Sequence, residues 1–74
     1  IEYSVATAGM LRMEIYDAAG RKIRTVIDGL HGPGNFRISW DGNNDAGSPA
    51  GSGVYFLRFS SGEASGSAKL VLLR

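Results

Sequence analysis

The sequence predicts an all-β fold, an antiparallel β-sandwich of about six to seven strands. Three observations predict it. Apolar and polar residues alternate at period two in segment after segment, as they do in strands with one buried face. No stretch repeats apolar residues at spacings of three and four over the length of a helix. Clusters of Gly, Asn, Asp and Ser separate the alternating segments, where hairpins and loops are needed.

The first strand is Ile1, Tyr3 and Val5 alternating with Glu2 and Ser4. The second is Leu11, Met13 and Ile15 alternating with Arg12 and Glu14, and both apolar sets should point inward. Asp17-Ala18-Ala19-Gly20 follows, an Asp able to accept nearby amides and a Gly suited to positive φ, which is hairpin chemistry. The third strand is Arg21 to Ile27. Its register is ambiguous, because Ile23, Thr25 and Ile27 share one face while Val26 lies on the other, and a bulge would resolve it. Asp28-Gly29 and Gly32-Pro33-Gly34 then read as a long turn.

Phe36, Ile38 and Trp40 alternate with Arg37 and Ser39 in the fourth strand, with Trp40 expected at the centre of the core. From Gly42 to Gly53 the chain turns to Gly, Asn, Ser, Ala, Asp and Pro, a long loop for so small a domain. Val54 to Ser60 forms the fifth strand, with Tyr55, Leu57 and Phe59 inward and Phe56 and Arg58 outward. Residues 61 to 66 read as a polar turn, and Ala68 to Leu73 as a last, almost continuously apolar strand. Such a strand suits cover on both faces or an edge hidden by a neighbour.

The 74 residues make one domain, and a core of that size supplies only about 3 to 5 kcal/mol of net stability. With no cysteine and one histidine, neither a disulfide nor a Cys/His zinc cage reinforces it. A parent protein or a partner subunit is the expected support. Eight basic and seven acidic side chains leave a net charge of +1, too weak a field to gather nucleic acid or anionic membrane. No apolar run approaches the roughly 20 residues of a membrane-spanning helix, and the opening residues lack the basic and apolar regions of a signal peptide. The chain starts without Met inside a strand, which reads as a processed product or an excerpt of a longer protein.

With the strands placed, five ordered fragments carry a family resemblance: Ile1-x-Tyr3-x-Val5; Ile15-Tyr16-Asp17-x-x-Gly20-Arg21-x-Ile23-Arg24; Trp40-Asp41-Gly42-x-x-Asp45-x-Gly47, preceded by Gly34; Gly53-Val54-Tyr55-Phe56; and Lys69 to Arg74. Together they resemble the FlgD Ig-like domain over the whole chain. The resemblance implies an Ig-like sandwich, found in the flagellar hook-capping protein and as the last domain of large exported bacterial proteins, where it is similar to type A sorting domains of type IX secretion. It implies no enzyme activity and no cofactor. Many such appended domains carry an upstream Pro-Asn-Pro type segment leading into a first strand, and this sequence lacks it. Either that strand was trimmed or it is donated by another chain.

Asp41, Asn43 and Asp45 alternate like the first ligands of a calcium loop, but Ala46 stands where such a loop has Gly and Ser52 where it has a bidentate Glu. Capping of turn amides by Asp41 and Asp45 is the preferred reading. His31 has no second His, Cys or nucleophile motif beside it and reads as a solvated loop residue. Asp41 and Asp45 as a glycosidase pair lack a buried pocket to raise either pKa. Arg21, Lys22 and Arg24 form a small basic cluster beside Arg12, and Tyr16 and Phe56 are candidate exposed carbohydrate or protein contacts.

The expectation is therefore a non-catalytic module of an exported bacterial protein, extracellular or at the cell surface, acting in secretion, surface attachment or subunit assembly. Its partners would be a protein or a neighbouring subunit paired through strand edges, including a homo-oligomer or filament. A flagellar hook-capping domain and a carbohydrate-binding module are the alternatives.

Overall fold

In the computed structural model, residues 2–62 and 64–73 are described. Ile1, Glu63 and Arg74, which the sequence pattern assigns to the first strand, a turn and the end of the last strand, lie outside them. Six strands follow one another: β1 (Glu2–Val5), β2 (Gly9–Asp17), β3 (Lys22–His31), β4 (Gly34–Arg37), β5 (Gly53–Ser61) and β6 (Ala64–Leu72). The strand count is six, and every pairing is antiparallel. β1 and β4 make a small two-stranded sheet, and the larger sheet has the order β3-β2-β5-β6. Among the described residues there is no helix long and apolar enough to cross a membrane.

The core lies between the sheets and follows the period-two pattern. Leu11, Met13 and Ile15 of β2 meet Tyr55 and Leu57 of β5, and Ile15 is fully buried at 0% exposure. Tyr3 and Val5 from β1, with Ile38 and Trp40 beyond β4, close over them from the other layer. Ile23, Val26 and Ile27 all reach the core from β3. The ladder between β2 and β3 slips twice, between Met13 and Glu14 and between Ile15 and Tyr16. Each slip reverses which side chains face inward, so Val26 joins the core despite its parity.

Between β2 and β3 the Gly20 amide donates to the Asp17 carbonyl at 3.0 Å, and Gly20 takes φ 87°. A side chain there would be strained, which is why the turn ends in glycine.

Several boundaries differ from the sequence expectation. β3 continues through Asp28 and Gly29 to His31, paired with Gly9 to Arg12, because backbone pairing outweighs the turn preference of Asp-Gly. β6 begins at Ala64 rather than after a polar turn, its ladder starting from Ser61 opposite Ala64. Gly66 is tolerated there because the Phe59 ring lies over it; a Cβ built on Gly66 would stand 2.5 Å from Cζ of Phe59.

β4 ends at Arg37, and Ile38 to Trp40 run on beyond the strand. Trp40 consequently sits at the flank of the core, half-buried, with its ring 5.0 Å from Tyr55 at 68°. The centre belongs to Ile15. Phe59, expected to be buried, is 37% exposed, because it faces the groove that separates β5 from β1 and not a packed layer.

Candidate functional site

Two strands cannot cover four, and the uncovered part of the core is the site. A groove of about 650 Å³ opens between β1 and the inner face of β5 and β6, floored by Leu57, Phe59 and Ala68. Every residue from Glu2 to Thr7 borders it, both parities of the strand, so the edge of β1 faces the groove. β1 spends one edge on β4. Its second edge carries main-chain groups of the kind that template an added strand. Among the described residues Glu2 is the sole charged one lining the groove, and Arg37 pairs with it. The groove therefore suits an extended, apolar segment.

β1 is held in place from both sides. Ser4 donates to Asn35 at 2.6 Å on the outer surface. On the inner side, Tyr3 stacks on Phe36 at 5.4 Å and its hydroxyl lies 3.0 Å from Nε2 of His31. Nδ1 of His31 is 2.7 Å from the Gly32 carbonyl, which can only accept, so in the neutral ring Nε2 accepts from Tyr3. His31 is thus a half-buried strand residue that clamps β1, and not the solvated loop residue its isolation in sequence suggested.

The other edges are treated unequally. The loop after Trp40 folds back on β3: the Asp45 amide donates to the Ile23 carbonyl, and the Asp45 carboxylate accepts the Thr25 amide, each at 3.0 Å. That loop covers the β3 edge. β6 forms the opposite edge, and beside it Val71 and Leu73 stand 61% and 84% exposed.

Asp41, Asn43 and Asp45 do not converge. Asp41 Oδ1 accepts the Asn43 amide at 2.9 Å and Arg24 at 3.2 Å, and Asp45 faces β3. Asn44, between them, accepts the amides of Ala46 and Ser48, both at 3.0 Å. Trp40 Nε1 donates to the Asn43 carbonyl at 2.9 Å, and the Tyr55 hydroxyl to the Gly51 carbonyl at 2.6 Å. The loop is ordered by its own amides and by two core aromatics. Among the described residues, no three His, Cys, Asp or Glu side chains are grouped to hold a metal ion.

The basic cluster is divided among separate carboxylates. Arg21 pairs with Asp17, Arg24 with Asp41, and Arg12 and Lys22 with Glu14. The Arg21 amide is the main reason the Asp17 carboxyl titrates below its usual range; desolvation opposes it, and the Arg21 guanidinium and the Ala19 amide add to the lowering.

Glu14 is the hub that residue typing alone missed. It is nearly buried on the outer face of the larger sheet and also accepts from the Tyr16 hydroxyl at 3.2 Å. Its signal was legible in the spacing, since Arg12, Glu14 and Tyr16 fall two apart and share a strand face. Tyr16 and Phe56 stand directly opposite each other on that face, and Arg58 lies over the Tyr16 ring with Cζ 4.9 Å from its centroid.

The chain matches no curated protein and no solved structure. The family model of the FlgD Ig-like domain matches residues 3–65. That span takes in β1 from Tyr3 onward, the Asp17 to Gly20 hairpin, the Trp40 loop, the whole of β5 and the start of β6. With the fold all-β, antiparallel and two-layered as such a sandwich requires, the chain belongs to the FlgD Ig-like domain family.

Proposed function

We propose that this domain is a non-catalytic interaction module of an exported bacterial protein, and that its working surface is the groove beside β1. The observation that carries the reading is the open groove: Phe59 and Ala68 exposed beside the buried Leu57, next to a β1 edge that has no ladder partner among the described residues. An extended segment laid along β1 would satisfy that edge with main-chain hydrogen bonds. Its alternate apolar side chains would drop onto the floor. The segment comes from a neighbouring subunit or from the parent protein, and the domain acts in secretion, surface attachment or subunit assembly, as in a type A sorting domain of type IX secretion.

The test places an alternating Val/Thr strand ahead of residue 1 through a short Gly/Ser linker, so that docking is intramolecular. Hydrogen exchange should show added protection of β1 amides and of the strand itself. Ala68→Arg, which puts a long charged side chain on the groove floor, should abolish that protection while the unfused domain keeps its fold. Unchanged β1 exchange in the fusion would refute strand docking. Location is tested separately, by fractionating the native organism with an antibody to the parent protein; a cytoplasmic pool alone would refute export.

The family match favours one second reading, a hook-capping domain that guides flagellar hook assembly. Loss of motility on deletion of the gene, restored by the full-length protein, would support that reading over the appended module.

A further inference from the structure

The outer face of the larger sheet lies on the other side of that sheet from the groove, with Phe59 bordering both, and its side chains form a grid. The strand registers put Arg12, Ser60 and Ser65 in one row across β2, β5 and β6, and Glu14, Arg58 and Ser67 in the next. Tyr16, Phe56 and Lys69 make the third. Neighbouring strands stand about 4.8 Å apart, and rows two residues apart are separated by about 6.8 Å. A trough of about 430 Å³ runs over the first two rows. A second, of about 290 Å³, lies between Phe56 and the Asp17 turn. Both troughs are lined by Tyr16, Arg58 and Ser67.

The face is cationic in a particular way. Among the described residues, Arg12, Lys22, Arg58 and Lys69 share it with Glu14 and Asp28, four positive groups against two negative, while Asp17, paired with Arg21, lines the second trough. Glu14 is already engaged by Arg12, Lys22 and Tyr16. Among the described residues, no carboxylate lies within ion-pair distance of Arg58 or Lys69. The Tyr16 ring supports Arg58 through its face, and a guanidinium held so keeps its in-plane N–H donors for a ligand.

We propose that this face binds an acidic polysaccharide, a chain of sugars carrying uronate carboxylates. Arg58 takes a carboxylate through paired N–H donors, and Lys69 adds a second cation one row away. Ser60, Ser65 and Ser67 offer hydroxyls that both donate and accept, which matches sugar hydroxyls. Phe56, exposed beside them, offers an apolar surface for the C–H face of a ring. The strand spacing is about the length of one pyranose, so a chain lying across the strands meets β2, β5 and β6 with successive sugars. An acidic protein is a poorer match. β2 and β5 are paired on both sides and give it no main-chain edge, and burial under a protein would desolvate the Glu14 ion pairs.

The test is an NMR titration of the isotope-labelled chain with a defined oligogalacturonate, in parallel with a neutral glucan oligomer and with poly-L-glutamate. Saturable shifts should be confined to the rows on β2, β5 and β6. The neutral glucan should bind at least about tenfold more weakly, and Arg58→Gln should weaken oligogalacturonate by about tenfold, as loss of a charged, paired contact does. Lys69→Gln should cost a smaller factor, and both side chains are exposed, so an unchanged spectrum of each free variant certifies its fold. The proposal is overturned by an absence of shifts at about 10 mM sugar, by binding indifferent to Arg58→Gln, or by poly-L-glutamate occupying the same rows as tightly.

Discussion

Ala68→Leu tests whether the core of this chain is open. Ala68 lies on β6 opposite Leu57 and lines the groove of about 650 Å³. Leucine adds three carbons, and full burial would contribute about 0.8 kcal/mol for each. The groove covers an added side chain from the floor and the β1 side but not from above, so about half that value is expected, roughly 1 kcal/mol of stabilisation. For a domain of this size 1 kcal/mol raises Tm by about 4 to 8 °C. Thermal and urea unfolding of the two proteins, followed by tryptophan fluorescence, would measure it. In a sandwich already closed over Ala68, the same substitution would overpack the core and cost about 1 to 3 kcal/mol. A fall in Tm would therefore refute both the open core and the docking reading built on it. The opposite signs leave no overlap.

Three further outcomes follow from the packing and the loop. Ile15→Val should cost about 1 kcal/mol, and Ile15→Ala about 3 to 4 kcal/mol, which consumes most of a small domain's stability and should leave much of the chain unfolded by circular dichroism. Asp45→Ala should lose about 1 kcal/mol and expose the Thr25 amide to rapid hydrogen exchange, whereas Asp45→Asn keeps an acceptor and most of that protection. For Asp17 the folded carboxyl titrates below its unfolded value, so its charged form stabilises the fold fully above about pH 4, and that contribution is lost as pH falls through the lower folded value. Asp17→Asn should therefore be less stable than the parent chain near neutral pH, with the difference closing in acid, as unfolding curves across that range would show.

What the sequence determined by itself is the set of faces. Period-two alternation follows from the geometry of a single strand, so the inward Leu11, Met13, Ile15, Tyr55 and Leu57 and the outward Phe56 and Arg58 were legible without tertiary information. The ambiguity at Val26 was equally visible, and the two slips of the β2–β3 ladder resolve it. The ordered fragments from Ile1 to Arg74 were also enough to suggest the family, whose model matches residues 3–65.

Tertiary structure alone decided which inward residues are covered. Phe59 has the parity of Leu57, yet it is exposed because cover comes from a second sheet whose reach no local pattern encodes. The same holds for Trp40, whose size suggested the centre and whose place at the flank follows from where β4 ends. Asp45 looked like a turn residue or an ion ligand, and became the cap of the β3 edge through partners about 20 residues away in the chain. The rows across β2, β5 and β6 likewise unite Arg12, Arg58 and Lys69 through registers set by backbone pairing. Alternation is a property of one strand, whereas cover, edges and rows are properties of strands brought together from distant parts of the chain.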